Sequence, residues 1–170
     1  EVVETGPDHQ TYKLGDRLAM APGIYCKECF YCRNDMTTMC ENLVELAFQY
    51  PGGFAQYMAL PDIAFERGRV VTVPGELSSE HAALCEAPSS CIMAQERVDV
   101  KQGDTVVVFG AGPIGCCHVQ IAKANGAKKV ILIDISNERL QMAEQFAADL
   151  QIDAAAVDPV KEVINATNGL

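Results

Sequence analysis

Thr105-Val106-Val107-Val108-Phe109-Gly110-Ala111-Gly112-Pro113-Ile114-Gly115 is the stretch that decides the fold. Its β-branched and aromatic opening predicts a strand, which runs without a break into three glycines at G-x-G-x-x-G spacing. Ile114, Cys117, Ile121 and Ala124 then recur at helical spacing, and Gly126 is placed to cap the helix end. A second β-branched run, Lys129 to Ile133, stops at Asp134, about 20 residues past the glycines. Each glycine has a task. Gly110 makes the tight turn, Gly112 lets backbone approach a pyrophosphate, and Gly115 lets the helix pack close to the strand. Pro113 falls in the first turn, where its missing N–H costs nothing, and the helix start offers free amides and a positive dipole end to an anion. A glycine-rich turn in some other α/β protein is the competing reading; motif, flanking elements and acid together argue against it.

The acid selects the dinucleotide. Asp134 at the strand end would accept hydrogen bonds from an unphosphorylated adenosine ribose and repel a 2′-phosphate, so NAD is expected over NADP. Ile135, Ser136 and Asn137 supply no cation to rescue a phosphate, although Arg139 is close in sequence.

Working outward, the chain has 170 residues, 49% of them hydrophobic, enough for one domain or slightly more with a packed core. A formal net charge of −10 argues against a nucleic-acid backbone or an anionic membrane as partner, since both need basic patches. There is no apolar run of membrane-spanning length and no secretion signal at the start, which predicts a soluble, cytoplasmic protein. Glu1-Val2-Val3-Glu4-Thr5-Gly6 reads as a strand already under way, so the chain is expected to be part of a longer one. Further short strands are expected at Arg17 to Pro22, Phe54 to Leu60 and Val70 to Val73, separated by Gly and Pro, which predicts a small barrel or sandwich over residues 1 to about 75. Ser78 is placed to cap a short helix through Leu84, and Pro88 to divide it from a second helix over Ser89 to Val98. Ser136 would cap a helix burying Leu140, Ala143, Phe146, Ala147 and Leu150. Only one and a half βα units are legible after Thr105, with nothing recognisable over 165–170.

Four of the eight cysteines form Cys26-x2-Cys29-x2-Cys32-x7-Cys40. Three thiols at intervals of three let one loop wrap a metal, and a fourth completes a tetrahedron. A closed all-thiolate set describes structural zinc; an iron–sulfur cluster is the chemical competitor. Cys85, Cys91, Cys116 and Cys117 read as small core hydrophobes, and an intracellular dinucleotide motif argues against disulfides.

The cysteine lobe, Gly52-Gly53-Phe54-Ala55-Gln56-Tyr57, Gly103-Asp104-Thr105-Val106 and Gly110-Ala111-Gly112-Pro113-Ile114-Gly115, in this order and spacing, resemble the zinc-dependent medium-chain dehydrogenases, in the sorbitol/polyol and threonine dehydrogenase branch. The resemblance covers essentially the whole chain. It implies an α/β architecture: a GroES-like β-barrel portion over 1–77 carrying the zinc lobe 26–40, then connecting helices over 78–98 and part of a Rossmann doubly wound parallel sheet within 78–170. Carried over by position, Cys26, Cys29, Cys32 and Cys40 would hold structural zinc. Gly110, Gly112, Pro113, Ile114, Gly115, Asp134 and Arg139 would bind NAD. Glu86 would lie at or near a catalytic zinc, where that branch has a Glu-Pro pair. Here Ala87 follows Glu86 and the proline is Pro88, and an acid in this place could instead cap the following helix. Gln56 stands where the family commonly has glutamate. The family's catalytic cysteine and Gly-His-Glu lie before the strand that Glu1 to Gly6 resembles and are absent from this sequence, and His9, His81 and His118 sit in no such motif.

The resemblance implies an enzyme that passes hydride from a polyol or other secondary alcohol to NAD, with zinc lowering the hydroxyl pKa, and a homo-oligomer, dimer or tetramer. A non-catalytic NAD- and zinc-binding fragment is a second reading. A thiol-redox module is a third and weaker one, because four thiols sharing one loop are not a single Cys-x-x-Cys at a helix start.

Overall fold

The computed structural model describes residues 1–7 and 11–169; His9 lies outside the described residues. The chain divides into two compact units, Glu1–Ala83 and Leu84–Leu170.

In the first unit, strand β1 (Leu18–Met20) pairs antiparallel with β4 (Val70–Thr72), and β2 (Gly23–Ile24) with β3 (Val44–Glu45). Helix α1 (Phe30–Arg33) follows β2, α2 (Asp62–Glu66) precedes β4, and α3 (Ser79–Ala83) closes the unit. The barrel portion is thus present as two short ladders over a small core, where Ile24, Leu46 and Ala64 are buried against Met20, Val44, Tyr50 and Met58. Two expected strands do not form. Val2 exchanges backbone bonds of 2.8 and 2.9 Å with Asp16 and Gly15, and regular pairing goes no further along Glu1 to Gly6. Phe54 to Leu60 finds no partner among the described strands, and Phe54 and Tyr57 stand in solvent. Their apolar and aromatic content raised strand propensity, but a strand without a ladder leaves its polar backbone to water.

The second unit begins with α4 (Glu86–Arg97), which carries Pro88 instead of being broken by it. Pro88 is the third residue, where the missing N–H is among the donors a helix start leaves unpaired. There follow β5 (Thr105–Phe109), α5 (Pro113–Ala124), β6 (Lys129–Asp134), α6 (Asn137–Ala143), β7 (Leu150–Asp153) and α7 (Pro159–Ala166). The three strands form a parallel sheet in the order β5-β6-β7, with Phe109 opposite Ile133 and Asp134 opposite Asp153. Each strand is followed by a helix, so the unit holds three βα pairs against the one and a half read from the sequence.

Central β6 is covered on both faces. Val130 and Leu132 pack with Val119, Ala122, Leu140 and Ala143 of α5 and α6, while Ile131 and Ile133 pack with Ile152 and with Val163 and Ala166 of α7. Such a strand reads as a continuous apolar run. The α5 face that meets the sheet is Gly115, Cys116, Val119 and Ala122, one step round from the expected Ile114, Cys117, Ile121 and Ala124. The helix has a second neighbour. Cys91 Sγ of α4 lies 3.8 Å from the Ile114 carbonyl, and Gln95 Nε2 donates to the His118 carbonyl at 2.9 Å and contacts its Nδ1 at 3.2 Å. One apolar stripe was visible in the sequence; two neighbours needed two. The Ser136 cap forms, its side chain accepting from the Arg139 amide. The helix then ends at Ala143, a 3₁₀ turn over Glu144–Phe146 follows, and Ala147 turns the chain at φ 55°. Leu150 therefore begins β7 and does not extend a helix face.

Candidate functional site

The glycine turn is built where β5 hands over to α5. Gly110 has φ +100°, which glycine adopts at little cost, and its amide still donates to the Ile133 carbonyl at 2.7 Å. A Cβ at residue 115 would overlap the Gly110 carbonyl oxygen, so only glycine lets α5 start this close to the strand. A Cβ at residue 112 would meet nothing within 4 Å. Gly112 therefore faces open space at the start of a 12-residue helix, the cradle a pyrophosphate needs, with Pro113 in the first turn. Ile114 is half exposed beside it.

Asp134, the last residue of β6, reaches this turn. One carboxylate oxygen accepts from the Ala111 amide at 2.7 Å and the other from the Ser136 amide at 2.8 Å. These amides, with the nearby Arg139 cation, hold its pKa below the usual carboxylate value against the opposing effect of burial. The side chain is 7% exposed. The expected task is that of a ribose acceptor; the task the structure shows is to tie the β6 end to the glycine turn. Backbone donors carry no side-chain signature, so this second task was invisible in the residues. Each oxygen retains lone-pair capacity for a ribose hydroxyl. Arg139 is exposed on the first turn of α6.

In the first unit, the ligand atoms of Cys26, Cys29, Cys32 and Cys40 all lie within 4.8 Å of one another, and three of the four residues are buried to 8% exposure. A tetrahedral zinc with bonds of about 2.3 Å needs sulfurs about 3.8 Å apart. Cys26 and Cys32 are 3.9 Å apart. An iron–sulfur cluster, several atoms across, would need its thiolates spread more widely, so the donor set fits a single ion. Backbone amides point at the sulfurs: Cys29 N to Cys26 Sγ at 3.3 Å, Cys32 N to Cys29 Sγ at 3.5 Å, and Cys26 N to Cys40 Sγ at 3.3 Å. Lys27, at φ 66°, makes the bend between the first two ligands. The amides of Glu28 and Cys29 lower the Cys26 thiol to about 6, those of Cys32 and Glu41 lower Cys29, and burial raises Cys32 to about 12.

Glu86 is the exposed first residue of α4, its Oε1 taking the Ser90 hydroxyl at 3.4 Å. Among the described residues the four cysteines are the group of three or more potential ligands that come together, and Glu86 is not among them. His81 is exposed on α3 and His118 lies against Gln95. The residues present therefore fit a thiolate-bound ion and a dinucleotide, and they do not by themselves fit a catalytic metal. No described helix is long and apolar enough to cross a membrane.

A short-stranded lobe closed by four thiolates, followed by a parallel sheet with a glycine turn and a terminal acid, defines the class: a metal-bearing, nicotinamide-dinucleotide-type α/β protein. Comparison with known proteins narrows it. Residues 1–74 match the alcohol dehydrogenase GroES-like domain and residues 113–170 the zinc-binding dehydrogenase family. A probable D-xylulose reductase A from Arthroderma otae is 38% identical over 149 residues, covering 86% of this chain and 40% of that one. An L-threonine 3-dehydrogenase from Sinorhizobium medicae is 32% identical over 171 residues, covering 99% and 48%. A solved zinc-binding dehydrogenase structure from Sinorhizobium meliloti 1021, bound to NADP, superposes with a TM-score of 0.81 at 31% identity, covering 94% and 45%. The chain belongs to the zinc-dependent medium-chain dehydrogenase family. It spans less than half the length of these relatives.

Proposed function

We propose that this chain is part of an NAD-dependent zinc dehydrogenase that oxidises a polyol or another secondary alcohol. The observation that carries the reading is the meeting of Asp134, the glycine turn and the α5 start in one place. In this reading the α5 amides and Gly112 receive the pyrophosphate, and Asp134 accepts from the adenosine ribose hydroxyls. Ile114 packs near the nicotinamide side of the turn, and Arg139 flanks the adenine. Bound NAD supplies a hydride acceptor; the chain's part is to fix its position. Cys26, Cys29, Cys32 and Cys40 hold a structural zinc whose task is to shape the lobe. Glu86 is kept as a candidate ligand to a catalytic zinc, and no reaction step is derived through it. Residues 1–77 are read as the barrel portion and 78–170 as the nucleotide half.

The substrate class rests on the relatives. A xylulose reductase and a threonine 3-dehydrogenase both act at a secondary alcohol or its ketone, so a small polyol or amino alcohol is the substrate we propose. We further propose a cytoplasmic homo-oligomer, dimer or tetramer, acting on neither nucleic acid nor membrane; the net charge of −10 supports the last two points. The test is NADH formation by the zinc-loaded full-length protein with a panel of pentitols, hexitols, L-threonine and simple secondary alcohols. Turnover of at least one of them with NAD is expected. Tight NAD binding with no turnover on any would favour the non-catalytic reading.

A further inference from the structure

A cavity of about 430 Å³ in the first unit is lined by Tyr12, Tyr25, Lys27, Phe65 and Arg69, among others. Its volume falls in the range of small-molecule sites, roughly 300–1,000 Å³. The chain carries 23 Asp and Glu against 13 Lys and Arg, yet no carboxylate is among the described residues that line this cavity, while two cations are.

Both cations are held by neutral acceptors. Arg69 Nε donates to the Tyr25 hydroxyl at 2.9 Å, which leaves both Nη groups of the fork to meet an oxyanion. Lys27 Nζ donates to the Glu66 carbonyl at 2.8 Å. Glu66 ends α2, so this is a carbonyl that the helix leaves without an internal partner, and the ammonium retains two of its three donors. The ion pairs among the described residues involve Lys101, Lys123 and Lys161; neither Lys27 nor Arg69 takes part in one. Their backbones are fixed as well. Lys27 sits in the bend of the thiolate lobe, and the Arg69 carbonyl accepts from the Ala21 amide at 3.0 Å. Tyr12 donates its hydroxyl to the Val70 carbonyl at 3.1 Å and sets its ring 5.8 Å from that of Phe65, giving the cavity an aromatic wall.

Lys27 and Arg69 both line this cavity at the protein surface, each with donors left over, and no carboxylate lines it among the described residues although the chain is acidic. We propose that this cavity binds a small organic molecule through an oxyanion group, phosphate or carboxylate, with Arg69 and Lys27 as the clamp and the Tyr12–Phe65 wall beside the organic part.

The test is calorimetric titration of the zinc-loaded full-length protein at low salt with inorganic phosphate, acetate and phenyl phosphate. Saturable binding of at least one of the two simple ions is expected, and phenyl phosphate should bind more tightly than inorganic phosphate. Arg69→Gln and Lys27→Gln should each weaken binding about tenfold or more, the loss of one charged hydrogen bond. Arg69→Lys, which keeps the charge without the fork, should fall between. Arg17→Gln, whose guanidinium donates to the Pro74 and Gly75 carbonyls instead, should change nothing. Should Arg69→Gln fail to retain zinc, Lys27→Gln and Arg69→Lys carry the test. No saturable binding of either simple ion, or the same affinity in wild type and Lys27→Gln, overturns the proposal; the latter would place the anion at the glycine turn. Equal affinities for inorganic and phenyl phosphate overturn the part given to the aromatic wall.

Discussion

Strand β6 of the second unit buries Val130, Ile131, Leu132 and Ile133 at 2% exposure or less, whereas β2 and β3 of the first unit are two residues long and flank a loop gathered around four sulfurs. The second unit is organised by apolar area removed from water on both faces of a sheet. Among the described residues of the first unit the aliphatic core cluster is small, Ile24, Leu46 and Ala64, with a separate cluster of Cys26, Cys29 and Cys40; in the proposed reading a bound zinc orders that second cluster. Loss of the metal and loss of core volume should therefore affect different halves of the chain.

The largest expected effect is on the lobe. Cys32→Ser, or removal of zinc with a strong chelator, should abolish metal retention and collapse the amide signals of residues 24–46 while those of 105–153 stay. Structural zinc supplies roughly 10–16 kcal/mol in zinc-finger peptides, far more than this lobe's small core can replace. Full zinc content and unchanged melting in Cys32→Ser would break the comparison from one side.

Leu132→Ala is the reciprocal change. Leu132 is fully buried between α5 and α6 on β6, so truncation should cost the second unit about 2–5 kcal/mol while the zinc content stays unchanged. Denaturant unfolding followed by sheet signals, with zinc release read in parallel, checks it; joint loss of both would show that the halves do not hold independently.

A smaller, local effect is expected at the turn. Gly115→Ala places a methyl group on the Gly110 carbonyl oxygen and must push α5 away from β5. NAD affinity should fall by about tenfold or more, on the order of 1.4 kcal/mol, with zinc binding untouched. Wild-type affinity in the Gly115→Ala protein would mean that the helix start does not need its close approach.

The smallest is a pH effect. Asp134 has a folded pKa below its unfolded value of about 3.9, so the stability it contributes is present above that value and is lost as pH falls through the folded pKa. Asp149, lowered by Lys123 and by the Val130 amide, adds a second such group in the same unit. Acid unfolding of the second unit should steepen below about pH 4, and Asp134→Asn should flatten that limb. An identical acid limb in the variant would remove the tie between Asp134 and the glycine turn.

The difference between the halves also explains what could be read in advance. Runs such as Thr105 to Phe109 and Lys129 to Ile133 announce parallel strands, the second buried and the first exposed at Thr105 and Phe109, and cysteines at fixed spacing announce a cluster, so the sheet and the gathering of Cys26, Cys29, Cys32 and Cys40 were legible from residue type alone. Phe54 to Leu60 misled because strand propensity does not say whether a partner ladder exists. Strand β7 was hidden because Leu150 continues the helical spacing of Leu140 and Ala143, and only the turn at Ala147 ends it. The second task of Asp134 lay beyond reach for a different reason: its partners are the amides of Ala111 and Ser136, and a backbone donor is the same in every residue but proline.

Cofactor choice tests the account most directly, and a related structure that binds NADP makes the answer open to contradiction. The measurement is a pair of dissociation constants, for NAD and NADP, on the zinc-loaded full-length protein and on Asp134→Ser. A 2′-phosphate would face the Asp134 carboxylate and displace charged hydrogen bonds of roughly 1.5–3 kcal/mol each, so wild type should prefer NAD by about 10- to 100-fold. The variant should bind NAD less tightly and NADP more tightly. Equal wild-type affinities, or an unchanged preference in Asp134→Ser, would mean that Asp134 does not face the ribose and would contradict the nucleotide site described here.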